Sequence, residues 1–86
     1  MSWKIAWHPN AVKSLDSMPK DIRDRVIKRI DKLRDNPFHF LEHYEGQDFY
    51  KLRIGDYRAL VDIDFESRII KIQILGHRKN IYKRIK

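Results

Sequence analysis

Tyr50-Lys51-Leu52-Arg53-Ile54-Gly55-Asp56-Tyr57-Arg58 decides the fold of this chain. It reads as two antiparallel strands joined by a tight Gly55-Asp56 turn, because a glycine–aspartate pair between alternating apolar residues is a short-range hairpin signal. A two-residue turn sets Ile54 against Tyr57, and so Arg53 against Arg58 on the other face. Lys51, two residues back, points to that same face. Like charges directly across strands weaken pairing by roughly a few tenths to 1 kcal/mol. A sheet that keeps such a pair is expected to hold an anion there, and an RNA phosphate is the expectation taken.

The alternation extends outward from this hairpin. Tyr50, Leu52 and Ile54 share one face, as do Tyr57, Ala59, Val61 and Ile63. After a turn near Phe65-Glu66-Ser67, Ile70, Ile72 and Ile74 continue the same face in a third strand. The opposite face carries Phe49, Lys51, Arg53, Arg58, Leu60, Asp62, Lys71 and Gln73, so it is expected to stay uncovered. Towards the N-terminus, Trp3, Ile5 and Trp7 alternate as a short first strand. Pro9 opens a helix with Ala11, Val12, Leu15 and Met18 along one stripe. Pro19 opens a second helix with Ile22, Val26, Ile30 and Leu33 at helical spacing, and Ile27 beside them. Asn36-Pro37 is expected to end it. Residues 38–47 read as a loop of unassigned shape. Beyond Gly76 a short helix is expected, with Ile81 and Ile85 one turn apart as anchors, and Arg78 and Tyr82 projecting together. The pattern is a two-layer α+β fold, β-α-α-β-β-β-α: an antiparallel hairpin sheet backed by a helix pair, with a short C-terminal helix.

At 86 residues the chain reads as a single domain, 1–86. A chain this short buries only about 60–65% of its unfolded surface. It has no cysteine, which excludes disulfides and Cys-based zinc sites. No apolar run approaches the roughly 20 residues of a membrane span, and the N-terminus reaches Pro9 without a signal-peptide core. The expectation is a full-length cytoplasmic chain with no membrane partner. A net charge of +7 favours nucleic acid or an acidic protein as partner. Arg78, Lys79, Lys83, Arg84 and Lys86 follow Gly76 with no acidic residue among them. In the second helix, by contrast, Lys and Arg are interleaved with Asp21, Asp24, Asp31 and Asp35, which reads as an ordinary solvated face. His39 and His43 have the i, i+4 spacing of helical metal ligands, but no third ligand is evident, so a solvated loop and no metal site is expected.

The Tyr50-to-Arg58 stretch, followed by His77-Arg78-Lys79-Asn80-Ile81-Tyr82, resembles the RelE branch of the RelE/ParE toxin superfamily. Pro9 with Ala11, the Leu15-to-Pro19 step, Asn36-Pro37 and Glu45-Gly46 extend the resemblance over essentially the whole chain. It implies a small bacterial or archaeal ribonuclease that cuts mRNA in the ribosomal A site without metal or cofactor. The 2′-hydroxyl attacks the adjacent phosphate and leaves a 2′,3′-cyclic phosphate and a 5′-hydroxyl. It also implies a cognate antitoxin that wraps the toxin, itself a monomer inside the toxin–antitoxin assembly. Carried onto this sequence, the family's active-site residues fall at Lys51, Arg53, Arg58, Arg78 and Tyr82. Some members have lysine where Arg53 stands. Arginine almost never gives up its proton, so Lys51 is the better candidate base.

The residue chemistry agrees with these roles. Arg53 and Arg58 offer planar forks that match phosphate, and Arg78 suits the leaving 5′-oxygen. Tyr82 can stack on a base or simply pack on the sheet. Lys71, Lys79 and Lys83 are expected to hold RNA. His77 is a possible acid–base partner, with a helix-start role as the plainer reading. Arg53 or Arg58 pairing with Asp62 or Asp56 as surface salt bridges is the plainer reading of those arginines. Trp3, Trp7 and Tyr57 read as core. Two other functions stay open: a ParE-like gyrase poison of the same fold, and a non-catalytic RNA-binding module. The Lys51, Arg53, Arg58, Arg78, Tyr82 set favours the nuclease, because ParE-type members generally lack it.

Overall fold

Alternation within residues 50–77 builds the sheet on which everything else sits. A computed structural model describes residues 2–81 of the chain. Its strands are β1 (Lys4–Trp7), β2 (Leu41–His43), β3 (Tyr50–Ile54), β4 (Tyr57–Asp64) and β5 (Ile69–His77). They form one sheet in the order β1-β5-β4-β3-β2. In the β3–β4 hairpin Ile54 lies opposite Tyr57 and Arg53 opposite Arg58, as the two-residue turn requires. Gly55 holds φ at +56° and Asp56 keeps a negative φ. Glycine at the first central position is what a type II′ turn demands, and the twist of that turn matches the strands.

Three helices complete the described residues: α1 (Pro9–Asp16), α2 (Lys20–Asp31) and α3 (Pro37–Phe40). Pro9 opens α1, where its missing N–H costs nothing, and His8 Nδ1 accepts the Asn10 N–H at 3.1 Å as a cap. Ala11, Leu15 and Met18, with Val26, Ile30 and Leu33, meet Leu52, Ile54, Ala59, Val61, Ile70, Ile72 and Leu75 in one core. Full burial of each large aliphatic side chain stabilises by about 1.5–3 kcal/mol, so this single layer holds the helices on the sheet. Trp3, Trp7 and Tyr57 border the core, partly buried. No helix among the described residues is long and apolar enough to cross a membrane.

The structure departs from the sequence expectations in several places. A register shift between Leu60 and Val61 sets Val61 against Ile72 but Leu60 against Ile74. Gln73 is the extra residue of a bulge. The alternation therefore resets, and Leu75 is fully buried in the core position expected for Ile74. The face away from the helices is not bare either, since Leu60 there is only 2% exposed. The second helix does stop at Asn36-Pro37, where Asn36 leaves the helical region at φ −152° and ψ 80°. Its last turn tightens to a 3-10 turn at Lys32–Arg34, and the Trp3 N–H donates to the Arg34 carbonyl at 2.8 Å. Pro37 then opens α3, its natural place at a first helical position. Residues 37–43, expected to be mostly loop, become α3 and the edge strand β2, because Leu41, Glu42 and His43 find partners in Leu52, Lys51 and Tyr50. The sheet is mixed, with β1 running parallel to β5. Tyr82, Ile85 and the body of the expected C-terminal helix lie outside the described residues.

Candidate nucleic-acid interface

The hairpin turn organises the arginines. Arg58 folds back on it, and its Nη1 donates to the carbonyls of Gly55 at 2.7 Å and Tyr57 at 2.8 Å. A guanidinium has five N–H donors. Those on Nε and Nη2 have no partner among the described residues, so Arg58 is oriented while keeping donors to offer. Gly76 stands opposite Arg58 on β5, leaving that side of the row without a side chain. Ile81 packs over this glycine: a Cβ placed on Gly76 would sit 4.0 Å from the Ile81 Cβ, and Ile81 is buried. The chain beyond β5 thus returns to the turn. There the Arg78 N–H donates to the Asp56 carbonyl at 2.7 Å, and Arg78 Nε lies 3.7 Å from Asp56 Oδ1. The positions of Arg53, Arg58 and Arg78, on three separate segments, surround one turn. Among the described residues neither Asp62 nor Asp56 pairs with Arg53 or Arg58. The surface salt-bridge reading of those two arginines does not hold, and Asp56 engages Arg78 instead.

The remaining expected residues divide. Lys51 is half-buried on the same face, between Leu60 of β4 and Glu42 of β2, with Nζ 5.8 Å from the centre of the Tyr44 ring. Glu42 and Tyr44 were not anticipated, because nothing in the sequence announced β2. Lys71 faces Asp62, four β4 residues or roughly 13 Å from the Arg58 row. It does not join the arginines. Lys79 is exposed in the turn after β5, and its N–H donates to His77 Nδ1 at 3.2 Å. His77 lies apart from the arginines. Its partner in register is Tyr57, on the helix side of the sheet, with the rings 5.5 Å apart. It borders Met18 and Pro19 there, and its capping bond fits the helix-start role. Tyr82 and Lys83 lie outside the described residues. His39 and His43 are on α3 and β2, against Phe40 at 4.8 Å and Tyr50 at 5.1 Å respectively.

The cations of α2 also need correction. They are not an evenly solvated face. Arg25, Lys28, Arg29 and Lys32 line one groove of about 360 Å³ together with Ile54 and Gly55. Two acids of the helix are turned to other partners, Asp24 to Lys20 at 3.6 Å and Asp31 to Arg34 at 2.8 Å. Arg29 joins the groove to the hairpin by donating from Nε to the Arg53 carbonyl at 3.5 Å, and its guanidinium covers Phe40 at 5.6 Å. At the far end of the sheet, Asp64 accepts the Ser67 N–H at 3.0 Å. That backbone bond is the main cause holding its carboxyl below the usual range.

The fold has known counterparts. The family model described as the ParE toxin of the type II toxin–antitoxin system, parDE, matches residues 5–82. The RelE1 protein of Methanocaldococcus jannaschii is 26% identical over 88 residues, covering 96% of this chain and 98% of that protein. The toxin in the archaeal RelE–RelB complex from Pyrococcus horikoshii OT3 is 30% identical, with a TM-score of 0.75 over 91% of this chain and 97% of that one. The toxin–antitoxin complex RelBE2 from Mycobacterium tuberculosis gives a TM-score of 0.80 at 23% identity, over 91% and 100% of the two chains, a likeness of fold. A family match across nearly the whole chain, on the sheet and hairpin just described, makes this chain a member of the RelE/ParE superfamily of type II toxin–antitoxin toxins.

Proposed function

We propose that this toxin is an endoribonuclease that cuts mRNA in the ribosomal A site by attack of a ribose 2′-hydroxyl on the adjacent phosphate, without metal or cofactor. The observation that carries this reading is the placement of Arg53, Arg58 and Arg78 around the β3–β4 turn, with Arg53 and Arg58 free of carboxylate partners among the described residues. In-line attack builds negative charge on the non-bridging oxygens. Donors already oriented by the fold favour that state over the ground state. In this reading Lys51 takes the 2′-hydroxyl proton as the O2′–P bond forms. Arg53 and Arg58 hold the non-bridging oxygens. The P–O5′ bond breaks, and the 5′-oxygen leaves with its electron pair beside Arg78 and takes a proton from water. The products are a 2′,3′-cyclic phosphate and a 5′-hydroxyl. Tyr82 stacks on a base, an interaction typically worth about 1–3 kcal/mol, while Lys71, Lys79 and Lys83 steer the strand by charge. The toxin works in the cytoplasm as a monomer and is neutralised by a cognate antitoxin. The toxin–antitoxin complexes among its structural relatives support that partner.

A second reading, a gyrase poison, is favoured by one observation: the matching family model is that of ParE toxins. Purified toxin in a translation extract, with mRNA ends mapped by primer extension, separates the two. Cuts at the A-site codon that vanish without ribosomes support the nuclease. Intact mRNA together with inhibited DNA supercoiling selects the gyrase poison. Intact mRNA with uniform, salt-dependent loss of RNA binding on every Lys or Arg change selects a non-catalytic RNA-binding module.

A further inference from the structure

We infer that the groove between α2 and the β3–β4 turn is a second RNA site, one that grips the phosphate backbone of a double-helical segment while the arginines at the turn receive the single strand to be cut. The inference rests on the RNA-directed reading above and assigns that reading's partner a second contact. Arg25, Lys28, Arg29 and Lys32 follow the i, i+3, i+4, i+7 spacing that places side chains on one helix face. They span roughly 10 Å along the axis, enough to reach more than one phosphate of a backbone. None of the four has an ion-pair partner among the described residues, although α2 carries acids within reach of its other cations.

The lining argues for RNA over a protein segment. Peptides docking in grooves are held by apolar anchors, but this floor offers only Gly55 and an Ile54 that is 3% exposed. The exposed large apolar side chains are not part of this lining: Val12 is on α1, Ile27 is on α2 but does not line the groove, and Phe38 and Phe65, stacked at 5.8 Å, are at the opposite end of the hairpin. The lining also argues for a duplex over a single strand. Sequence-tolerant single-strand sites present aromatic faces for stacking. Among the described residues the groove's lining contains no aromatic ring, and the Phe40 ring that Arg29 reaches is already covered by its guanidinium. A shape-and-phosphate reader of folded RNA needs no such platform. Gly55 belongs to both sites: it lines the groove and its carbonyl orients Arg58. A folded RNA held in the groove would therefore present a neighbouring strand to the arginines.

The test uses a short RNA duplex, fully 2′-O-methylated so that it cannot be cut, with binding followed by fluorescence anisotropy between about 50 and 200 mM salt. The Arg25→Gln/Lys28→Gln/Lys32→Gln variant should flatten the slope of log affinity against log salt by about 2–3, close to 0.7–0.9 per lost phosphate contact. Lys28→Arg/Lys32→Arg should keep the wild-type slope. Thermal melting checks folding. If the triple variant does not fold, Lys28→Gln and Lys32→Gln separately should each lower the slope by about one. An unchanged slope overturns the inference. So does normal duplex binding by the variant together with lost binding of a polyglutamate peptide, which would make the groove a protein dock. Because the probe cannot be cleaved, the result is independent of whether the nuclease assignment stands.

Discussion

Two cationic regions lie on either side of the Gly55-Asp56 turn, and they are built differently. At the turn itself, backbone carbonyls fix the side chains: Arg58 on Gly55 and Tyr57, and the segment bearing Arg78 on Asp56. On α2, Arg25, Lys28 and Lys32 are exposed and make no side-chain hydrogen bond or ion pair among the described residues, and Arg29 alone reaches a backbone carbonyl. Fixed donors act at one place and stabilise charge that develops there. Solvated cations attract a polyanion over a distance and tolerate many poses. The difference separates a site suited to chemistry from one suited to holding on.

Substitutions can break this comparison. The largest expected effect is at the fixed side. Arg58→Ala should lower the cleavage rate by about 10²–10³, the usual loss of one preorganised donor, while RNA binding largely survives. Equal losses in cleavage and binding would place Arg58 with the holding cations. Next is the shared turn. At Gly55 a Cβ meets Arg25 Nη1 at an ordinary 3.6 Å, so the penalty of Gly55→Ala is conformational, about 1–2 kcal/mol at positive φ, read by denaturant unfolding. A smaller effect follows from Asp56→Ala. It removes an exposed ion pair at 3.7 Å and should cost at most about 1 kcal/mol, since the Arg78 N–H bond to the carbonyl remains.

The smallest lies away from both regions. Asp64 has a depressed folded-state pKa, so its contribution to stability is present above the ordinary carboxylate value and is lost as pH falls through the lower folded one. Wild-type melting temperature should therefore drop more steeply than that of Asp64→Asn below about pH 4, with the two curves parallel between about pH 5 and 8. Parallel curves throughout would show that the Ser67 bond does not act on ionisation.

The hairpin was legible because a two-residue turn and a period of two leave one register for residues 50–58, and that register carries Arg53 and Arg58. The bulge was not. Ile70, Ile72 and Ile74 alternate without interruption, and no glycine or proline marks Gln73 as the residue to be squeezed out. The β2 strand was hidden because Phe38-His39-Phe40-Leu41 fits neither period, and its edge position depends on β3 being there to pair with. The spacing of Arg25, Lys28, Arg29 and Lys32 was readable, but their function as a groove depends on Gly55 lying beside them, a contact between residues about thirty positions apart in the chain. The position of His77 was hidden for the same reason. Its neighbourhood in sequence is cationic, while its place on the strand is across the sheet from the arginines.

The central claim is that cations from three segments act on one phosphodiester, and the end groups of the cut RNA test it most directly. Wild-type toxin incubated with translating ribosomes should leave 5′-fragments ending in 2′,3′-cyclic phosphate and 3′-fragments beginning with a 5′-hydroxyl, with Arg58→Ala leaving the message uncut over the same interval. Fragments bearing a 5′-phosphate, or wild-type reactions in which the message stays whole, would contradict it.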